Sequence, residues 1–306
     1  MTQQPLDQDL FKVVGGSDKD SDALAAKSVS FWKEVSLRFS QNKLALGGIF
    51  ILIIVVLMAL IVPEVSQYKY SDQSGVYNAP PSAQFWFGTD ELGRDIFVRV
   101  WAGARISLLI GVVAALIDLI IGVVWGSISG LVGGRVDNIM MRIADVLTAV
   151  PYLLVVIVLL VVMEPGIIPM IIALSITGWI NMARIVRGEV LSIKNQEYVL
   201  AARTLGANTW HLILKHLVPN ALGAILVTMT LTIPQAIFTE AFLSYLGLGV
   251  PAPQASWGTM ASDGAKAIAD YPWRLFFPAI FISLTIFAFN AVGDGLRDAL
   301  DPKLRK

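Results

Sequence analysis

The chain has 306 residues, no cysteine, 23 basic and 23 acidic side chains, 56% hydrophobic residues and only 15% charged ones. Soluble chains carry about 25% charge, and a mean hydropathy of +0.68 demands more apolar burial than a compact globule of this size provides. Zero net charge argues against a basic nucleic-acid binder, and the missing cysteines exclude a disulfide framework, thiol catalysis and thiolate-ligated metal. The two histidines, His211 and His216, do not have the four-residue spacing of a helical zinc motif. They read as exposed loop residues, and no metal site is expected.

In chain order, about forty mixed polar residues precede the first apolar run, so this stretch is expected to be an uncleaved tail. Within it, residues 29–43 (VSFWKEVSLRFSQNK) pair apolar and charged positions at helical spacing. That pattern fits an amphipathic lead-in helix at the membrane interface or an ordinary solvated lead-in. Residues 44–62 contain no charge, and their fourteen Leu, Ile, Val and Phe favour insertion by roughly 4 to 8 kcal/mol. Further apolar stretches lie at about 106–132, 144–163, 167–183, 217–239 and 275–293, giving six predicted spans in an all-α membrane fold. Glu164-Pro165-Gly166 separates the third from the fourth and predicts a tight turn between antiparallel helices.

Of the 23 Lys and Arg, 17 lie in the N-terminal tail, the second-to-third and fourth-to-fifth connections and the C-terminal tail. The positive-inside rule therefore places both termini in the cytoplasm. The predicted organisation is a tail over 1–43, a membrane domain over 44–293 and a second tail over 294–306. Two long outside segments, 63–105 and 240–274, and one inside loop, 184–216, are too long to be simple turns.

The inside loop is too short for a soluble domain but accommodates two helices. One is predicted over about 185–196; the other begins near Glu197 and is stopped by Gly206, with Asn208 or Thr209 capping the segment beyond it. Ala201 and Ala202 leave one helix face without bulk, either for close approach of another surface or as an incidental small-residue cluster.

These residues resemble the cytoplasmic "EAA" loop of ABC importer membrane subunits: Glu-Ala-Ala, three residues, Gly, then about a dozen residues to Pro. Ala201, Ala202, Gly206 and Pro219 fall on that pattern, Ala207 adjoins the glycine, and His216 and Asn220 match the peptide-importer variant. Leu200 stands where the family usually has Glu, with Glu197 as a substitute three residues earlier. The segments FGTDELGRDIFVRVWAGARISL (87–108), EAFLSYLGLGVPAPQASWG (240–258) and FNAVGDGLRDALDP (289–302) resemble the C-type membrane subunit of oligopeptide, dipeptide and nickel importers. The resemblance spans about 40–302.

It implies the type I importer permease fold, in which the loop helix docks into an ATPase subunit. The implied assembly, in a cytoplasmic membrane, comprises a homologous second permease, two ATPase subunits and an extracytoplasmic peptide-binding protein. No Gly is followed by Lys anywhere in the chain, so the usual phosphate loop is absent. ATP and magnesium are accordingly expected on partner subunits, with no cofactor and no catalytic residue on this chain. Peptide cargo fits the resembling segments best, with nickel chelate or related cargo as the alternative. A different class, an ion-coupled secondary carrier, would need midplane coupling carboxylates, and Asp118 is its lone good candidate.

Asp118 lies mid-span, where a carboxylate costs about 2.5 to 3.5 kcal/mol. It is either a pathway or gate group or a bonded structural one, and Asn181 and Asn290 are weaker candidates of the same kind. Ser127 and Ser129, in the glycine-rich stretch from Gly122 to Gly134, mark close helix packing. Outside, Arg94 and Asp95 occupy a glycine-flanked turn ahead of an amphipathic run, with Asp90 as its expected cap. They contact a binding protein or brace an outer gate. Trp257, Tyr271 and Trp273 read as interface anchors, with Trp257 also a candidate outer contact.

Overall fold

The computed structural model describes residues 31–300; the N-terminal tail through residue 30 and residues 301–306 lie outside the described residues. The helices are α1 (Phe31–Gln41), α2 (Lys43–Val65), α3 (Ile96–Val132), α4 (Gly134–Ala149), α5 (Tyr152–Met163), α6 (Ile167–Ile193), α7 (Glu197–Thr204), α8 (Thr209–Leu248), α9 (Trp257–Lys266) and α10 (Trp273–Leu300). Among the described residues the only β pairing is a single bridge between Thr89 and Asp95. Among the described residues five helices, α2, α3, α6, α8 and α10, are long and apolar enough to cross a membrane.

The remaining predicted span, 144–163, is not one helix. α4 and α5 form a pair bent by 77°, because Pro151 pushes Val150 out of the helical region to φ −82°, ψ 131°. At 12 residues and 1.5 Å per residue, α5 covers only about 18 Å and cannot span alone. The expected tight turn is present: α5 ends at Met163, Glu164 takes φ +64°, and α6 starts at Ile167 and packs against α5.

Several helices outrun their apolar cores. α3 begins at Ile96 rather than 106, and its 37 residues are about 55 Å long. α6 continues past residue 183 through Arg184, Arg187 and Glu189 to Ile193, so the separate helix expected over 185–196 is the end of α6. The inside loop shrinks to α7 and its flanks. The last helix likewise runs to Leu300, through most of the expected tail. In each case charges bound the apolar run, while the helix's backbone hydrogen bonding continues past them. α1 forms within the amphipathic lead-in, supported by an Arg38–Glu34 pair at 2.6 Å, and Asn42 caps α2 by accepting from the Leu44 and Ala45 N–H groups.

The centre of the bundle is the contact between α3 and α6. Gly122, Gly126 and Gly130 on α3 meet α6 so closely that a Cβ would lie 2.8 Å from the Trp179 carbonyl, 2.9 Å from the Arg187 nitrogen and 2.8 Å from a Val190 methyl. Ser127 and Ser129 are buried in the same stretch, as its packing role requires. At its end, Arg187 clamps Asp137 of α4 through two bonds of 2.6 Å, Ser129 donates to the same carboxylate, and Lys194 donates to the Gly130 carbonyl at 2.9 Å. α8 packs on both helices of this pair, α10 packs on α8, α9 and α2, and α2 also packs on α3.

Gly126→Ala forces a methyl against backbone and is expected to cost about 1–3 kcal/mol, lowering the melting temperature of the detergent-purified protein. Gly47→Ala in α2, where a Cβ meets nothing within 4 Å, is the matched control. It is expected to be neutral or stabilising, since Ala exceeds Gly in helix propensity.

Candidate functional site

Three features cluster the polar chemistry, and the first is the loop between α6 and α8. α7 begins at Glu197 and closes with a glycine-dependent turn: Ala207 N–H donates to the Ala202 carbonyl at 3.1 Å, Gly206 N–H to Arg203 at 3.1 Å, and Gly206 takes φ +88°. This double bond pattern satisfies the terminal carbonyls and requires the left-handed conformation that glycine supplies. Asn208 then caps α8, accepting from His211 N–H at 2.8 Å. Val199 is buried, and Ala202 and Ala207 are half-buried, against Leu212, Ile213 and Leu217 at the start of α8.

This arrangement corrects the expected small-residue face. Ala202 turns toward the membrane domain, whereas Ala201 is exposed beside Leu200 at 45% and Leu205 at 88% exposure. The free surface of α7 is therefore apolar as well as small, and Leu200 belongs to it. His211 is exposed and His216 is half-buried, their rings 5.7 Å apart. Pro219 lies just past a π-helical turn at Ile213–Leu217, where its missing N–H leaves one carbonyl of the preceding turn without a backbone donor.

The second feature is a cavity of about 440 Å³ between α3, α5, α6 and α8, with Asp118, Tyr152, Asn181, Thr228 and Gln235 in its lining. Asp118 is only 4% exposed, and its Oδ1 has no hydrogen-bond partner among the described residues. The carboxylate lies against Gly178 of α6, whose missing side chain makes room for it. Asp118 and Asn181 thus share one cavity. Asn290 sits exposed on α10, outside the cavity lining, and does not join them.

The third feature fixes the opposite end of the bundle. Glu240 of α8, fully buried, accepts from Ser107 at 3.0 Å, Ser244 at 2.9 Å and Ser256 at 2.5 Å. Ser256 caps α9 in a reciprocal box with Thr259, and Trp257 N–H donates back to the Ser107 oxygen at 3.1 Å. The Trp257 indole is buried and donates to the Val100 carbonyl at 2.8 Å, so it is a core anchor of α9 rather than an interface residue or an outer contact. Glu240 escapes a reading by hydropathy because position 240 falls at the start of an expected loop; an acid inside EAFLSYL was the available signal.

Beside this network, Asp90, Arg94 and Asp95 are all buried. Asp90 accepts from the Leu92 and Arg94 N–H groups, pairs with Arg94 at 2.7 Å and approaches Arg99 at 3.4 Å. The helix cap is Asp95, which accepts from Phe97 N–H at 2.9 Å; Asp90 is not the cap. Burial pushes the Asp95 carboxyl up to about 6, against the lowering effect of the Phe97 and Val98 N–H groups. Arg274 of α10 ties the segment down through Asn78 at 3.1 Å and Glu91 at 2.8 Å. Buried and bonded within the chain, these residues have the geometry of a brace on the outer segment, one of the two roles expected for them.

The tightly seamed helical bundle, its core cavity and the projecting loop helix define a membrane permease subunit. The chain belongs to the binding-protein-dependent transport system inner membrane component family, whose model matches residues 122–306, and residues 30–81 match the N-terminal TM domain of oligopeptide transport permease C. It is 64% identical to the oligopeptide transport system permease protein OppC of Bacillus subtilis over 99% of this chain and 100% of that relative. Identity to the dipeptide transport system permease protein DppC of the same species is 58% over 94% and 91% of the two chains. Against OppC of Escherichia coli it is 42%, over 93% and 95%. In fold, the chain is similar to a solved subunit of the MetNI methionine ABC transporter, with a TM-score of 0.54 and 17% identity over 67% of this chain and 98% of that one.

Glu240→Ala strands three buried serine hydroxyls. The loss is expected to exceed about 2 kcal/mol, since each buried polar group left without its partner costs about 1–3 kcal/mol, and to appear as a lower melting temperature and faster proteolysis between α8 and α9. Glu240→Gln, which keeps an acceptor, is expected to fall between the alanine variant and the native protein.

Proposed function

We propose that this chain is one of two membrane subunits of an ATP-driven importer of oligopeptides or dipeptides, receiving cargo from an extracytoplasmic binding protein. The 64% identity to an oligopeptide permease over essentially the whole of both chains carries the reading, because a single loop motif would not. The cavity beside Asp118 is half of the translocation pathway, completed by a homologous second permease. Both termini and α7 lie in the cytoplasm, in keeping with the positive charge gathered at that end.

ATP and magnesium belong to two ATPase subunits, and α7 is the contact to one of them. Three properties support this role: α7 projects from the bundle, its end is fixed by the Gly206 turn, and its free side offers Leu200, Ala201 and Leu205. The Leu200 side chain contributes apolar contact area where relatives of the wider family carry Glu.

Two measurements test the reading. Leu205→Glu or Gly206→Pro is expected to leave membrane insertion intact and to remove the ATPase subunits from the gently purified complex; unchanged co-purification of both variants overturns the docking role. In reconstituted vesicles, uptake of a labelled tripeptide is expected to require ATP, the ATPase subunits and the binding protein. Uptake by this chain alone under an ion gradient would instead establish a secondary carrier.

A further inference from the structure

We infer that Asp118 and the hydroxyls facing it form a subsite for an ammonium group of the translocating cargo. The inference rests on the peptide-importer reading and deepens it by naming the chemistry the pathway selects. Asp118 is only 4% exposed, it lines the cavity, and no described side chain or N–H is bonded to its carboxylate. A carboxylate in a membrane interior without a partner costs about 2.5 to 3.5 kcal/mol, and none of the lining residues is basic. A cation that enters the cavity supplies the counter-charge that the lining residues lack.

The opposite wall has matching hydrogen-bond polarity. Thr228, Thr232 and Thr239 of α8 line the cavity, and each spends its hydroxyl proton on the carbonyl four residues earlier, at 2.7, 2.9 and 2.8 Å. A threonine bonded in this way has only lone pairs left to offer. The wall facing Asp118 is therefore rich in acceptors, with Asn181 and Gln235 as amides at the exposed rim. An alkylammonium carries three donors and no acceptor, which is the complement of such a surface. A carboxylate or phosphate would meet the buried Asp118 acid and spent threonine hydroxyls, with donors only from Tyr152 and the two rim amides. The cavity is of a size that holds small ligands.

The natural absence of cysteine from this chain permits a direct test in the complete reconstituted complex. A single thiol is introduced as Asn181→Cys, or as Thr232→Cys across the cavity, and its modification by a cationic and by an anionic methanethiosulfonate is followed by the mass of this subunit. With Asp118 present the ratio of cationic to anionic rates is expected to exceed that in the Asp118→Asn background by about tenfold or more, as expected for a charge focused in a low-dielectric cleft. Equal ratios in the two backgrounds overturn the subsite. So does failure of both reagents to reach either thiol.

Uptake supplies the cargo arm, with the same binding protein throughout. Asp118→Asn is expected to raise the KM for a tripeptide at least about tenfold. An equal effect on a lysine-free peptide and its lysine-containing counterpart assigns the subsite to the amino terminus, and an effect on the lysine peptide alone assigns it to the side chain. An unchanged KM for both removes the cargo role. If the wild-type complex imports neither peptide, the peptide-importer reading fails, while the thiol ratios still report whether the cavity is a cation site.

Discussion

The close approach of α3 and α6 is the constraint on which the rest of the molecule depends. Their partners keep one register: Asp118 faces Gly178, Gly122 faces Met182, Gly126 faces Val186 and Gly130 faces Val190, each pair 60 positions apart. A constant offset means two parallel helices meeting through every fourth residue, with glycine on one side admitting bulk from the other. Inside a bilayer no hydrophobic force draws apolar helices together, so such contact depends on dispersion across closely approaching backbones. At three of the four levels the small residue belongs to α3. At the fourth the roles exchange: α6 supplies the glycine and α3 supplies a carboxylate. The cavity opens at this exchange, so the seam that stabilises the bundle also determines where its interior charge sits.

The end of the bundle that bears α9 and the cavity treat buried acids in different ways. At the end bearing α9, Glu240 gathers hydroxyls from α3, α8 and the α9 cap, and Asp90 gathers two backbone N–H groups and two guanidiniums. Those carboxylates are saturated with donors, and both act as braces. Asp118 has the same chemistry and comparable burial but no donors. The contrast separates structural acids from one left available. A fold able to place three serines around Glu240 leaves Asp118 unpartnered in the same membrane domain.

The apolar runs were legible in the sequence because lipid permits so few charges: residues 44–62 and 275–293 fall inside α2 and α10. Helix ends were not, since Arg184 and Arg187 end the apolar run without ending α6. Hydropathy responds to solvent, whereas helix termination responds to backbone hydrogen bonding. The break at Val150 was visible as a proline within an apolar run, yet hydropathy averaged across it. In the loop, the glycine stop and Asn208 cap came from local chemistry, and they form as expected. The side that Ala202 faces depends on how α7 lies on α8, which no local signal encodes. Burial of Asp90, Arg94 and Asp95 depends likewise on Arg274, more than 170 positions away.

The seam also bears on how a cytoplasmic event would reach the cavity in the proposed importer. α7 joins α6 through only three residues and packs its inner face on the start of α8. α6 runs unbroken for 27 residues, about 40 Å, from the α7 end up past Gly178 beside Asp118. A displacement of α7 is therefore delivered to a rigid rod, and that rod has no free space against α3 at Gly122, Gly126 or Gly130, where even a methyl does not fit. Packed helices without slack move together or switch between discrete arrangements instead of deforming gradually. α8, which carries the threonine wall, shares the α7 contact at its own first turns. Moving α7 thus acts on both walls of the cavity at once, and the separation between Asp118 and the hydroxyls opposite it is the quantity that such a movement changes.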